Sequence, residues 1–330
     1  MSSRAKTTSA APRSNPSGTE APQALPTGEP VGGDGGERHT LVDRQGFAVG
    51  CDDTPIFYRV RGPAHAPAVV FCDGIGCDGY VWKYLEASLR STHRIVHWHY
   101  RGHGRTPMPR SPRRVDIADL ADDLAAVLDA AVGDGEGAVV AGHSMGVQVC
   151  LEMYRRHRDR VKGLILMCGS YGTPLRTFKG KRTLEQVLPF VRFAVNRIPG
   201  IAQTMVARLV PTELAYQIAT RFEINGELIR RDDFFPYLEH MSRVDVRLFL
   251  EMLAAAGRHT ARELLGHIAV PTLIVAGDRD GFTPANLSEE MHRLIRDSEL
   301  HVVQGGSHTA PIERPAEVTE RIADFLRKKF

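Results

Sequence analysis

The sequence predicts an α/β protein: a mostly parallel eight-stranded sheet with helices on both faces and an inserted helical lid. Three observations lead there. Strand and helix patterns alternate over residues 40–173 and again over 267–330, the arrangement that builds a parallel sheet covered by helices. The stretch between, residues 174–266, carries helical periodicity only. A serine sits in a glycine-rich turn between an apolar strand pattern and a helical one.

Taken in order, Thr40–Val49 and Pro55–Val60 read as an antiparallel pair joined by the turn around Gly50–Asp53. Ala68–Cys72 is a short apolar run, Tyr80–Arg90 is helical and Arg94–Tyr100 is a strand. The next helix, Ile117–Val132, puts Ile117, Leu120, Leu124, Val127 and Leu128 on one face, with Asp116 as its N-cap. Then follow strand Ala138–Ala141, helix Met145–Arg156 and strand Lys162–Met167. In the insertion, an apolar stripe of Leu184, Val187, Leu188, Val191, Val195 and Ile198 is expected to be broken by Pro189 and ended by Pro199–Gly200. Beyond it come strand Thr272–Ala276, helix Leu287–Arg296, strand Glu299–Val303 and a terminal helix Ala316–Lys329.

Composition narrows the function. With 42% hydrophobic and 25% charged residues the chain reads as a globular protein able to bury a core. A net charge of +3 from 42 basic and 39 acidic residues implies no polyanionic partner, so nucleic acid is not expected. No apolar run approaches the roughly 18–20 residues of a membrane helix, and no stable membrane insertion is expected. The basic clusters Arg101–Arg114 and Arg176–Arg182 read chiefly as solvated faces. Residues 1–39, rich in Ser, Thr, Ala, Pro and Gly without apolar periodicity, are expected to be a disordered tail, and the enzyme is expected to be cytoplasmic. Five cysteines, mostly within apolar patterns, read as reduced thiols, not as a disulfide framework or half of a zinc site.

The run Gly142-His143-Ser144-Met145-Gly146 is the strongest chemical signal. Its glycines permit a tight strand-to-helix turn that holds a serine in a strained conformation with its hydroxyl exposed. A serine hydroxyl needs a base to take its proton and a third group to orient that base. After the seventh strand, Asp278 and Asp280 offer carboxylates; after the eighth, Gly305-Gly306-Ser307-His308 offers an imidazole. Both loops lie at carboxyl ends of strands, where α/β sheets build their sites.

On these residues the chain resembles the α/β-hydrolase fold superfamily from about residue 40 to the end. The family's G-x-x-D-x-x-x-P is matched by Gly277, Asp280 and Pro284, so the resemblance implies Asp280 as the acid and His308 as the base, with Ser144 as the nucleophile. Glu313–Pro315 also matches a frequent family pattern after the base. The oxyanion donors implied are the backbone N–H groups of Met145 and, from the Asp73-Gly74-Ile75 loop, of Ile75. Two positions depart from the pattern: Asp73 stands where His is usual, and His99 where Asp is usual. A hydrogen bond between them, supporting the oxyanion loop, is therefore expected.

A serine nucleophile favours acyl chemistry. Hydrolysis of a carboxylic ester of a small-molecule acyl substrate leads; thioesterase, acyltransferase, C–C hydrolase, perhydrolase and a non-catalytic receptor remain open. This chemistry requires no metal and no cofactor. Some of the insertion's large apolar side chains, among them Phe190, Phe193, Phe234 and Phe235, are expected to line the pocket above Ser144, favouring medium-chain acyl groups.

Overall fold

Strand pairing begins with the expected hairpin. β1 (Leu41–Val49) runs antiparallel to β2 (Pro55–Pro63) across a turn closed by Gly50 N–H on the Thr54 carbonyl (2.9 Å) and by Asp53 at φ 60°. β3 (Ala68–Cys72), β4 (Arg94–Trp98), β5 (Ala138–His143), β6 (Val161–Met167), β7 (Thr272–Gly277) and β8 (Ser298–Val303) complete one sheet, ordered β1-β2-β4-β3-β5-β6-β7-β8. β2 meets β4 antiparallel, and every later pair is parallel. The computed structural model describes residues 41–177, 183–222 and 224–330. The predicted tail, residues 1–39, and part of the basic run Arg176–Arg182 lie outside the described residues.

The two sheet faces have separate cores, as alternation of strand side chains requires. Val70, Cys72 and Val96 pack with α2 (Ile117–Ala131) and α3 (Met145–Arg156). Val69, Phe71 and Ile95 pack with α1 (Lys83–Leu89) and the terminal helix Pro315–Lys329. α2 starts where Asp116 was predicted to cap it, with the Asp119 carboxylate accepting the Asp116 N–H at 3.1 Å. The Tyr80–Arg90 helix divides into a 3₁₀ turn, Tyr80–Trp82, and α1.

Between β6 and β7 the chain is helical, as expected: α4 (Pro174–Thr177), α5 (Thr183–Arg197), α6 (Pro199–Leu209), α7 (Glu213–Phe222), α8 (Arg231–Met241) and α9 (Val246–Arg258). One expectation fails here. Pro189 does not break α5, which runs through it, anchored by buried Leu188 in a cluster with Leu250 and Ala254 of α9. α5 does end at Arg197, just before Pro199–Gly200 as expected, and Pro199 then starts α6, since its fixed φ and missing N–H suit a first helical turn. The final helices are α10 (Ala285–Leu294), α11 (Ala310–Glu313) and α12 (Pro315–Lys329).

Docking of the insertion on the core is polar as well as apolar. Buried Asp233 of α8 accepts from Lys83 Nζ and Tyr84 OH, each at 2.6 Å. His240, also of α8, pairs with Asp78 at 3.0 Å. Burial alone would raise the Asp78 carboxyl, but His240 outweighs it and holds the pKa below the usual carboxylate value.

Close backbone approach decides where α3 can sit. A Cβ on Gly146 would lie 2.1 Å from the Cys72 carbonyl oxygen, so only glycine lets α3 meet β3. Gly200 of α6, by contrast, has open space around the same position. Gly146→Ala should therefore cost at least about 1–3 kcal/mol through overpacking, while Gly200→Ala should leave the melting temperature unchanged or slightly raised. Equal melting temperatures for the two variants would refute the packing argument.

Candidate active site

Ser144 terminates β5 and leads into α3 with φ 56° and ψ −119°, a region that ordinary residues avoid. The strain is held from three sides. Ser144 N–H donates to the Met167 carbonyl at 3.1 Å, and the Val147 N–H donates to the Ser144 carbonyl at 3.0 Å. A Cβ on Gly142 would stand 2.4 Å from the Gly146 carbonyl oxygen, which closes the turn to any larger residue.

The three residues singled out in sequence come together. Ser144 Oγ lies 2.8 Å from His308 Nε2, and His308 Nδ1 lies 2.9 Å from Asp280 Oδ2. Because a carboxylate can only accept, His308 Nδ1 carries the proton and Nε2 is left to accept from the serine hydroxyl. Asp280 is fixed further by the N–H groups of Phe282 and Thr283, both at 2.8 Å on Oδ1, and by Thr283 OH at 2.7 Å on Oδ2. Burial alone would raise its pKa, but His308 and the Thr283 donors outweigh this and hold it below the usual carboxylate value. Asp278 is exposed.

The loop carrying His308 is tied down by a residue whose role the sequence did not reveal. Buried Glu313 of α11 accepts Ser307 N–H (2.7 Å), Thr309 OH (2.8 Å) and Asn225 N–H (2.9 Å), and also the Ser307 hydroxyl. Asn225 belongs to the helical insertion, so one carboxylate joins the His308 loop to it. His143 adds a second restraint: its Nε2–H donates to the His308 carbonyl at 2.9 Å, and burial pushes its pKa down to about 4.

Ile75 and Met145 both line a cavity beside Ser144. Gly74 lets their loop approach, since a Cβ there would stand 3.2 Å from Ser144 Cβ. The expected Asp73–His99 bond is not formed. Asp73 Oδ2 instead accepts from His97 Nε2 at 2.9 Å, and Oδ1 from Trp82 Nε1 at 2.7 Å. His97 lies within β4, level with Phe71, close enough to reach Asp73. His99 lies past the strand's end, where its Nδ1 accepts the Arg105 N–H at 2.8 Å. The same loop rests on His103, whose Nε2 accepts the Gly76 N–H at 3.1 Å while Nδ1 donates to the Arg101 carbonyl at 2.9 Å. Arg101 is itself fully buried, its guanidinium held by both Asp123 oxygens (2.6 and 2.7 Å) and by Asp52 (2.8 Å).

The cavity above Ser144 measures about 380 Å³. Its walls are largely apolar: Ile75 and Met145 come from the core, and Leu184, Phe234, Leu238 and Phe249 from the insertion. Phe234 is placed as expected, but Phe190 and Phe193 are not: they are 76% and 62% exposed on the far side of α5. Phe235 also misses the cavity and packs under the Arg231 guanidinium, 4.1 Å from its ring centre.

An eight-stranded sheet of this order, with a strained serine at the end of β5 and an Asp-paired histidine after β8, defines an α/β hydrolase. The chain belongs to the alpha/beta hydrolase family, whose model matches residues 69–321. It is 29% identical, over 81% of its length and 96% of the relative's, to a pimeloyl-[acyl-carrier protein] methyl ester esterase of Neisseria meningitidis. It is 23% identical, over 82% of its length and 92% of the relative's, to 3-oxoadipate enol-lactonase 1 of Acinetobacter baylyi. Similar solved structures include the enol-lactonase of Burkholderia xenovorans LB400 (TM-score 0.67, 21% identity, 85% of this chain and 99% of that one). A thermophilic esterase of Thermogutta terrifontis has the same fold (TM-score 0.65, 23% identity, 87% and 98%).

Two predictions follow from this geometry. Asp280→Asn should lower kcat by ~10⁴, because an amide can no longer hold the required imidazole tautomer, while Asp278→Asn should change it less than about two-fold; equal losses would identify the wrong acid. The second concerns acid stability. Burial pushes His103 and His143 down to about 4 and His99 to about 3, from an ordinary 6.5. The unfolded chain therefore binds these protons first. The stability they contribute is complete above pH 6.5 and is lost as pH falls toward 4 and below. Melting temperature should accordingly drop steeply between pH 6.5 and 4; a flat profile there would show that the rings are not buried neutral.

Proposed function

We propose that this chain is a serine hydrolase that cleaves carboxylic esters of apolar acyl groups through an acyl-enzyme on Ser144. The observation that carries the reading is the Ser144–His308–Asp280 chain of hydrogen bonds, at 2.8 and 2.9 Å, on the floor of a mainly apolar cavity. Ser144 Oγ attacks the ester carbonyl carbon as its proton passes to His308 Nε2, and Asp280 stabilises the imidazolium that forms. The oxygen of the tetrahedral intermediate takes hydrogen bonds from the N–H groups of Ile75 and Met145. Collapse breaks the bond to the leaving oxygen, which receives the proton from His308 Nε2. Water, deprotonated by the same nitrogen, then attacks the acyl-enzyme and releases the acid, restoring Ser144.

The relatives named as a methyl ester esterase and an enol-lactonase support an ester as the bond broken. The helices of residues 174–266 act as a lid that supplies the acyl-binding walls. A cavity of about 380 Å³ lies within the usual range of small-molecule sites, and each buried methylene contributes up to about 0.8 kcal/mol. Medium acyl chains, roughly C4–C10, should thus outcompete acetyl and charged groups.

A p-nitrophenyl ester series from acetate to palmitate tests the reading. kcat/KM should rise from acetate to a maximum at medium length and then fall. Ser144→Ala should abolish turnover, by on the order of 10⁶ in kcat, and should also abolish fluorophosphonate labelling. A monotonic fall from acetate would remove the acyl-pocket assignment, and labelling of the alanine variant would remove the nucleophile.

A further inference from the structure

Three helices of the insertion present large apolar side chains to solvent. α6 has no buried residue at all, and α5 has only Leu188. On α6 the inward side carries half-buried Ala202, Gln203 and Val206, and Gln203 ties it down: its Oε1 accepts the Val246 N–H at 2.9 Å and its Nε2 donates to the Val244 carbonyl at 3.2 Å. The outward side carries Ile201, Met205 and Leu209, 59%, 54% and 58% exposed. α5 adds Phe190 and Phe193, and α7 adds Leu214 and Ile218, 66% and 52% exposed. Seven large apolar side chains this exposed on three successive helices are more than a surface that meets only water usually carries.

Charge tells what the field fits. Each stripe ends in an arginine three or four residues on: Phe193 then Arg197, Met205 then Arg208, Ile218 then Arg221. All three arginines are exposed, and Arg197 lies over the Phe193 ring, 4.8 Å from its centre. The one other arginine of these helices, Arg192, is held by Glu251; of their two acids, Glu213 is held by Arg231 and Glu185 is half-buried in the first turn of α5. Apolar side chains flanked by cations able to extend along them match the boundary of a bilayer, where acyl chains lie beneath anionic headgroups. A second copy of this face would bring arginine against arginine. We propose that the outer face of α5–α7 docks on an anionic lipid bilayer, as a peripheral contact and not a span. The contact stands whether or not the ester reading holds, because none of its side chains lines the cavity over Ser144.

Flotation of the full chain with phosphatidylcholine vesicles, with and without about 30 mol% phosphatidylglycerol, tests this. The protein should float with the anionic vesicles and much less with the neutral ones. Phe193→Ser/Met205→Ser/Leu214→Ser should reduce binding at least about ten-fold. Arg197→Glu/Arg208→Glu should reduce it by roughly five-fold or more for each cation reversed. Both variants should keep the wild-type melting temperature and turnover of soluble p-nitrophenyl butyrate, because every changed side chain is exposed. Equal flotation with neutral and anionic vesicles, or binding untouched by either variant, would overturn the proposal. So would light scattering that shows a wild-type dimer, abolished by the serine variant, with no vesicle binding.

Discussion

Ser144 occupies a backbone conformation that costs energy, and much of the surrounding architecture serves to keep it there. A residue at φ 56° persists only where its neighbours leave no alternative. Close approach supplies them: a Cβ on Gly142 would meet the Gly146 carbonyl, one on Gly146 the Cys72 carbonyl, and one on Gly74 the Cβ of Ser144. β3, β5 and the first turn of α3 thus converge at three glycines. That convergence leaves the hydroxyl projecting at the strand ends, where the loops after β7 and β8 deliver Asp280 and His308. The parallel order β3-β5-β6-β7-β8 is what brings those loops to one edge.

Around this point the protein uses buried charge where packing alone would leave loops free to move. Arg101 is wholly enclosed by Asp123 and Asp52, so removing either partner would strand a charge in the interior. Its carbonyl orients His103, and His103 accepts the Gly76 N–H in the loop after β3. Asp73 fixes the start of the same loop through His97 and Trp82. Glu313 does the equivalent for the His308 loop. In both places a buried carboxylate collects several donors, an arrangement whose geometry is unique in a way that apolar contacts are not.

The fold and the strained serine turn were legible in sequence because each rests on short-range pattern. Period-two and period-3.6 apolar spacing gave the strands and helices, and G-x-S-x-G between them gave the elbow. The resemblance to the family's G-x-x-D-x-x-x-P points to Asp280 over Asp278, and it is Asp280 that His308 Nδ1 meets, at 2.9 Å, while Asp278 is exposed. What stayed hidden depends on depth. His97 and His99 alternate onto one side of the chain, but nothing local in the sequence says that β4 ends between them and that the histidine inside the strand, His97, faces Asp73. Glu313 was noticed as part of a pattern, yet its convergence with Asn225 spans 88 residues and left no local trace. Pro189 read as a break because local propensity was weighed without the α9 contacts that hold α5 together.

The aromatic residues of the insertion expose a more general limit of sequence patterning. A stripe at helical spacing says that one face of a helix is apolar; it does not say what lies opposite. Phe234 and Phe190 belong to equally apolar helical segments, yet one is 4% and the other 76% exposed. The difference lies in how each helix is tethered. α8 is pulled onto the core by Asp233 and His240, which sit on the same side as Phe234 and Leu238. On α6 the tether is half-buried Gln203, bonded to the backbone of Val244 and Val246, and it leaves Ile201, Met205 and Leu209 facing out. Which side of a helix is bonded to its neighbours thus decides whether its large apolar side chains meet the protein's own cavity or the surroundings.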